Sequence, residues 1–556
     1  MASDFFDKHR ETLEKALETT HTRAFWSPYP EAPSGKVYGE NAPAEGKAAF
    51  DALLNRSFEL NMPGITGETG SEISPYGFEL GIRYPRVDPD QLIPAMEASL
   101  PAWRDAGPDA RTGVCLEILH RLNEHSFELA HAVMHTTGQA FVMAFQAGGT
   151  HAQDRGLEAV AYAYEAMTRT PAQAEWVKPQ GKHEPLRMEK HFHVIPRGIA
   201  LNIGVSTFPT WNGYPGLFAS LATGNPVIVK PHPATILPFA LTVKVAQEVL
   251  AEAGFDPWIV SLVVDDAEAP VTKNLALRPE VKVIDFTGSS EFGNWLEANA
   301  RQAQVYTEKA GVNCVVIDST DDLKGMVRNM AFSLSLYSGQ MCTTPQDIFV
   351  PRGGVDTDQG HMSFDEVAKA LADGVAKFLA DNERACGVLG AVQSEQTAHR
   401  IEEAASLGEV VLASEQREHP EFPGARVRTP VMVKLDGADT DKYSREMFGP
   451  ISFVIATDST ADSIDGARRL AREKGAITWG VYSSSESVLN DMERAALDAG
   501  VALSCNLTGG VFVNQTAAFS DFHATGGNPA ANACLCDSAF VANRFRVVES
   551  RRHAAA

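Results

Sequence analysis

Apolar positions along the chain change rhythm more than once. Over residues 4 to 20, Phe5, Phe6, Leu13, Ala16 and Leu17 fall on one helical face with charges opposite. Residues 27 to 90 are rich in proline and glycine and read as extended coil with short elements. From Gln91 to about Thr170, Trp103, Cys115, Leu116, Ile118, Leu119, Leu122, Phe127, Leu129 and Val133 recur at helical spacing. At Phe192 the pattern becomes short, unbroken apolar runs at 199–205, 226–231, 259–264 and 281–286, separated by helix-like spans. A second unit of the same kind is expected to start near Val305. Its strands are expected at 315–317, 348–350, 410–412, 431–433 and 451–455, and its helices at 322–337 and 364–380. Residues 540–548 fit an edge strand or a helix. Such alternation predicts parallel, doubly wound sheets, which bind ligands at the carboxyl ends of their strands.

The bulk numbers narrow the function classes. A chain of 556 residues holds two or three domains, and 44% hydrophobic with 21% charged residues is an ordinary globular balance. A net charge of −23 argues against a nucleic-acid surface, though not against a local basic pocket. Seven scattered cysteines suggest a reducing compartment without a disulfide framework. The one close pair, Cys534 and Cys536, has no second pair or nearby histidine, so no metal site is expected. His191 and His193 alternate like the solvated face of a strand. The start lacks the layout of a signal peptide and no long apolar span occurs, so no membrane segment is expected and the location is read as cytoplasmic.

Candidate chemistry sits at the ends of the predicted strands. Cys342 lies in Ser338-Gly339-Gln340-Met341-Cys342-Thr343, small and polar company for a thiol. Lys230 ends one strand and could hold a ribose hydroxyl or a phosphate. Gly288 and Ser289 open a helix and present backbone N–H groups, although Ser289 also reads as a plain helix cap. Glu308 stands between an apolar strand and a glycine turn, and Glu446 with Phe448 precedes another strand.

Taken in order, Lys-Pro, Phe-Thr-Gly-Ser, Glu-x-x-Gly, Gly-Gln-x-Cys and Glu-x-Phe-Gly-Pro resemble the aldehyde dehydrogenase superfamily over roughly residues 90 to 520. Glu308 and Cys342 stand 34 residues apart, as the family's base and nucleophile do. The resemblance implies an α/β fold of two doubly wound parallel-sheet domains and a small oligomerisation arm. The cofactor-binding domain would comprise 1–170 and 196–307, the catalytic domain 308–518, and the arm and bridging segments 171–195 and 519–556. It also implies that the Cys342 thiolate attacks an aldehyde, that hydride leaves for a nicotinamide, and that Glu308 helps water to hydrolyse the thioester. By the same carry-over Lys230 holds the adenosine ribose, Gly288 and Ser289 the pyrophosphate, Glu446 the nicotinamide ribose, and Phe448 packs beside the ring. At least a dimer is implied.

Two departures from the family pattern matter. Thr207 falls where an asparagine normally donates to the oxyanion, and Asn212 lies five residues further on, reachable only by a shifted register. Pro233 replaces the glutamate common in NAD-preferring members, so NADP is expected to be accepted and preferred, with NAD possible. The long amino-terminal extension, Ser-Thr-Phe-Pro-Thr-Trp-Asn and Glu-Lys-Ala-Gly are similar to the phenylacetic acid degradation protein N group, which implies a semialdehyde carried on coenzyme A. Other readings stay open: a coenzyme-A-acylating dehydrogenase, a weakened homologue serving as an interaction subunit, or a cofactor-free cysteine hydrolase. The last lacks a histidine near the thiol in sequence, since none lies between His232 and His361.

Overall fold

The computed structural model describes residues 2–553. An all-parallel sheet of five strands runs in the order Gln304–Glu308, Val281–Thr287, Ile199–Ile203, Val227–Lys230, Val260–Leu262. The chain fills it from the centre outwards to one edge and then returns to the other side. The switch falls between Ile199–Ile203 and Val281–Thr287, where a crevice opens at the strand ends. Strand Gln304–Glu308 pairs with Val281–Thr287, so it closes this first sheet rather than opening the second unit near Val305.

The second sheet has seven strands, ordered Glu409–Leu412, Val431–Asp436, Ile451–Thr457, Asp347–Pro351, Cys314–Ile317, Thr478–Tyr482, Ala502–Cys505. Only Glu409–Leu412 runs antiparallel. Alternate residues of its strands enter different cores: Val315 and Ile317 join the large core shared with the lead-in helices, and Cys314 and Val316 join a second one. Burial on both faces is why these strands read as unbroken apolar runs.

The lead-in consists of helices Pro89–Asp105, Gly107–Glu124, Ser126–Thr137 and His151–Thr168, with a shorter turn at Phe141–Phe145. The extreme amino-terminal stretch forms two helices, Ala2–Lys8 and Arg10–Thr22, and the Pro/Gly-rich region hides a further one, Ala42–Leu53. Strands Gln173–Gln180 and His183–Pro196 form an antiparallel arm, joined along its other edge by Phe545–His553. The ambiguous end therefore contains both options, a short helix Ser538–Ala542 and then this strand. Residues 519–537 do not extend the arm. Ala531 bridges Glu308, and Lys309 N donates to Ala530 O at 2.6 Å, so this loop lies across the strand that ends in Glu308. Among the described residues no helix is long and apolar enough to cross a membrane.

Candidate active site

The cysteine segment is held by its backbone. Helix Leu323–Ser335 gives way to a tight turn in which Tyr337, Ser338 and Gly339 all have φ near +50 to +60°. Two non-glycine residues there are strained and must be held by their surroundings. Tyr337 Oη donates to Thr137 O (2.5 Å), and Ser338 Oγ to Leu389 O (3.1 Å). Buried Gln340 donates to Ala391 O (3.1 Å) and accepts from Gln393 N (2.8 Å). At Gly339 a Cβ would come within 2.4 Å of Gly449 O, so only glycine lets this turn approach the loop carrying Glu446 and Phe448. On the far side, Asn313 Nδ2 donates to Cys342 O (2.8 Å) while its Oδ1 accepts from Ile477 N (2.9 Å). These bonds fix the sulfur beside the ends of both sheets.

All the residues singled out from the sequence line one cavity of about 660 Å³: Thr207, Lys230, Gly288, Ser289, Glu308, Cys342, Glu446 and Phe448. It runs from the carboxyl ends of the first sheet to the sulfur. Lys230 is buried and paired with Asp265 at 2.6 Å, a partner the sequence reading did not supply. Burial lowers the Lys230 pKa and Asp265 opposes that. Ser289 caps helix Ser290–Asn299 by accepting from Phe292 N (3.3 Å), leaving that helix start facing the cavity. Glu446 accepts weakly from Gly311 N (3.4 Å), and burial pushes its carboxyl up to about 7. Arg400 donates to Phe448 O (2.8 Å) and holds that loop.

A second cavity, of about 870 Å³, meets the first at Cys342, Phe208 and Asn212. Phe25, Trp26 and Tyr29 of the amino-terminal segment line it together with Trp211, Phe332 and Phe512. Exposed Phe25, Val142 and Val511 form an apolar rim. Among the described residues neither lysine nor arginine lines it, whereas Glu31, Asp154 and Asp521 do.

The largest surprise is His523. Its Nε2 lies 3.6 Å from Cys342 Sγ and 3.0 Å from Glu308 Oε1. One donor atom from each of Glu308, Cys342 and His523 falls within 4.8 Å of the others. The sequence left the thiol without an imidazole because His523 arrives from a loop more than 180 residues away. Asn212 was also set aside, yet its Nδ2 donates to Glu308 Oε2 at 2.9 Å. Helix Pro209–Ala222 carries it there without any change of register. Thr207 is buried, and its carbonyl accepts from Gln139 Nε2 at 2.8 Å.

Burial raises the Glu308 carboxyl, but His523 and the hydrogen bonds from Cys342 and Asn212 outweigh it and hold Glu308 below the usual carboxylate range. Burial, followed by the charges of Glu308 and Glu446, pushes the Cys342 thiol well above its ordinary value. The pair therefore combines an ionised carboxylate with a thiol reluctant to ionise.

Comparison with known proteins gives the family. The family model described as "Aldehyde dehydrogenase family" matches residues 68–527. The crystal structure of an NAD-dependent aldehyde dehydrogenase from Burkholderia multivorans superposes with a TM-score of 0.98 at 59% identity, over 99% of both chains. A 1-pyrroline-5-carboxylate dehydrogenase from Thermus, with bound NAD, shares the fold at 19% identity, with a TM-score of 0.73 over 95% of this chain and 99% of that one. A Caenorhabditis elegans homolog of aldehyde dehydrogenase family 7 member A1 is 27% identical, but the match spans only 48% of this chain and 50% of that relative. Vanillin dehydrogenase of Pseudomonas sp. strain HR199 is 25% identical over 84% of this chain and 88% of its own length. The chain is an enzyme of the aldehyde dehydrogenase family.

Proposed function

We propose that the protein oxidises an uncharged, largely apolar aldehyde to its carboxylic acid with NAD, using Cys342 as nucleophile. The observation that carries this reading is the position of Cys342 at the meeting point of two cavities. The smaller has the size and lining for a dinucleotide, with Lys230 and a helix start at the strand ends and Glu446 and Phe448 close to the sulfur. The bound cofactor would supply a hydride acceptor. The chain's own residues do the rest. Cys342 forms a thiohemiacetal, whose oxyanion takes the Cys342 N–H and donors from Thr207 and Asn212, both lining the cavity beside it. After oxidation Glu308, kept ionised, draws a proton from water as it attacks the thioester. Such base help contributes about 10²–10⁴-fold. Retention of this base favours hydrolysis over transfer to coenzyme A.

The larger cavity changes the expected substrate. A coenzyme A carrier or a free carboxylate would meet Asp521 and the Glu31–His151 pair, with no lysine or arginine among the described lining residues to receive it; burial pushes the Asp154 carboxyl well up. Its aromatic walls suit an aryl or extended apolar aldehyde, in keeping with similarity to a vanillin dehydrogenase. The expected place in phenylacetate breakdown therefore has no support from the site. The cofactor expectation shifts for a related reason. Pro233 does line the dinucleotide cavity, but Asp265 and Asp266 line it as well, and Asp265 already neutralises Lys230. Lys273 also lines that cavity and stands 5.0 Å over the Trp295 ring, and Arg86 pairs with Asp266 at 2.5 Å. A 2′-phosphate would have to compete with these two carboxylates for Lys230 and Arg86, and the similar Burkholderia protein is described as NAD-dependent.

The test is a panel of benzaldehyde, vanillin, octanal, succinic semialdehyde and a coenzyme-A-linked aldehyde, each with NAD and with NADP. Turnover of the aryl and apolar members with NAD is expected. Preferential turnover of a charged aldehyde, or of NADP, contradicts the reading.

A further inference from the structure

Cys342 must ionise where its surroundings oppose it. Glu308 and Glu446 both act on the sulfur, and burial and these charges together push the thiol up. A thiolate there needs a nearby positive charge, and the cations of the two cavities are engaged elsewhere. Lys230 pairs with Asp265 at 2.6 Å, Lys309 with Glu297 at 3.0 Å, and Arg400 binds the Phe448 carbonyl at 2.8 Å. Arg155 stacks behind Trp211 and is paired with Glu158 at 2.8 Å. Among the described residues, the imidazole of His523 is the one group in contact with the sulfur that can become cationic.

Its placement is built rather than incidental. His523 is 1% exposed and meets the Trp211 ring edge-on at 4.6 Å. Its loop is anchored to helix His151–Thr168 by the buried Arg155–Glu158 pair. Arg155 donates to Asp521 O (3.1 Å) and Thr516 Oγ1 (3.2 Å), and Glu158 accepts from Phe519 N (3.0 Å). The ring's Nδ1 is buried without a hydrogen-bond partner, so no neighbour on that side fixes the tautomer. The ionisable groups facing the ring are Glu308, across the strand end, and Cys342. Asp521 lines the cavity from the same loop, Asp154 lines it from the helix, and Arg155 lies beyond Trp211.

We propose that His523 accepts the proton of the Cys342 thiol, so that the nucleophile is a thiolate–imidazolium pair whose Nε2–H lies between Sγ and Glu308 Oε1. In this step the S–H bond breaks, an N–H bond forms at Nε2, and the electron pair stays on sulfur. The ring carries its other proton on Nδ1. Glu308 stabilises the imidazolium and remains available as base for the later hydrolysis. When that hydrolysis expels the sulfur, the imidazolium is in place to face its returning charge. The role rests on Cys342 being the nucleophile, and it explains how a thiol disfavoured by two carboxylates reacts near neutral pH.

The experiment measures iodoacetamide alkylation of Cys342 against pH by peptide mass spectrometry, in the full-length protein without cofactor, for wild type, His523→Gln and His523→Asn. The wild-type rate is expected to stay nearly level from pH 9 down to about 6. In each variant it should fall at least about tenfold at pH 7 and climb about tenfold per pH unit, as for an unassisted thiol. A wild-type rate that already climbs steeply through neutral pH overturns the proposal, and this holds even if neither variant folds. So do variants whose profile matches wild type. Failure of the underlying reading is seen separately, as aldehyde oxidation that survives Cys342→Ala.

Discussion

Asn212, Glu308 and Cys342 make separable contributions. Cys342→Ala removes the acyl carrier and should abolish aldehyde-dependent reduction of NAD, while NAD binding, followed by fluorescence, persists. Glu308→Gln should still form the thioester, giving one burst of reduced nicotinamide and then a steady rate lower by about 10²–10⁴-fold. Asn212→Leu deletes the 2.9 Å bond to Glu308 Oε2. Loss of a hydrogen bond to a charged group, about 1.5–3 kcal/mol, should slow thioester hydrolysis on the order of ten- to a hundredfold, and loss of the proposed oxyanion donor should slow the burst as well. The sign of the pH effect follows from the same bond. Glu308 acts only when ionised, and its carboxyl is held below the usual range, so wild-type hydrolysis should be lost only in acid. Without Asn212 the carboxyl rises, and the acid limb of kcat should move to higher pH.

Among the elements, helix His151–Thr168 and the loop at 516–537 form a unit that the sequence concealed. Arg155 and Glu158 are both almost completely buried, so Arg155→Met leaves the Glu158 carboxylate with only the longer Arg23 ion pair at 3.5 Å and should cost about 3 kcal/mol in denaturant unfolding. The same change should lower kcat, because the loop bearing His523 loses its anchors. The strand ends, the Ser289 cap and the cysteine turn were legible because they depend on local grammar: apolar runs, a glycine, hydroxyls at a helix start. Glu308 and Cys342 were singled out through the family resemblance and their 34-residue spacing, and both line the same cavity. His523, Asn313 and Asp265 were not singled out, because what places each of them is contact between distant segments. Asn313 bonds to the Cys342 carbonyl across the sheet end, Asp265 meets Lys230 only once neighbouring strands pair, and His523 follows its loop back over the site. The start of the second unit near Val305 was misread for the same reason: Gln304–Glu308 is a strand of the first sheet, and periodicity does not identify a strand's neighbour.

For the whole molecule, the arm is the feature that asks for a partner. Gln173–Gln180 and Phe545–His553 are both edge strands, and Val177, Val547 and Val548 are exposed on them, with Leu186 exposed on the strand between. The chain is therefore expected to sediment at no less than twice its own mass, and removal of residues 545–556 should yield a smaller species. An intact chain that stays monomeric at micromolar concentration contradicts that expectation.

The central claim is that one sulfur carries the acyl group between oxidation and hydrolysis. Its most direct test is mass spectrometry of Glu308→Gln, quenched after mixing with NAD and the best aldehyde of the panel. The account predicts a mass increase equal to the acyl group on the peptide containing Cys342. Reduced nicotinamide and carboxylic acid appearing together, with that peptide left unmodified at every quench time, would contradict it.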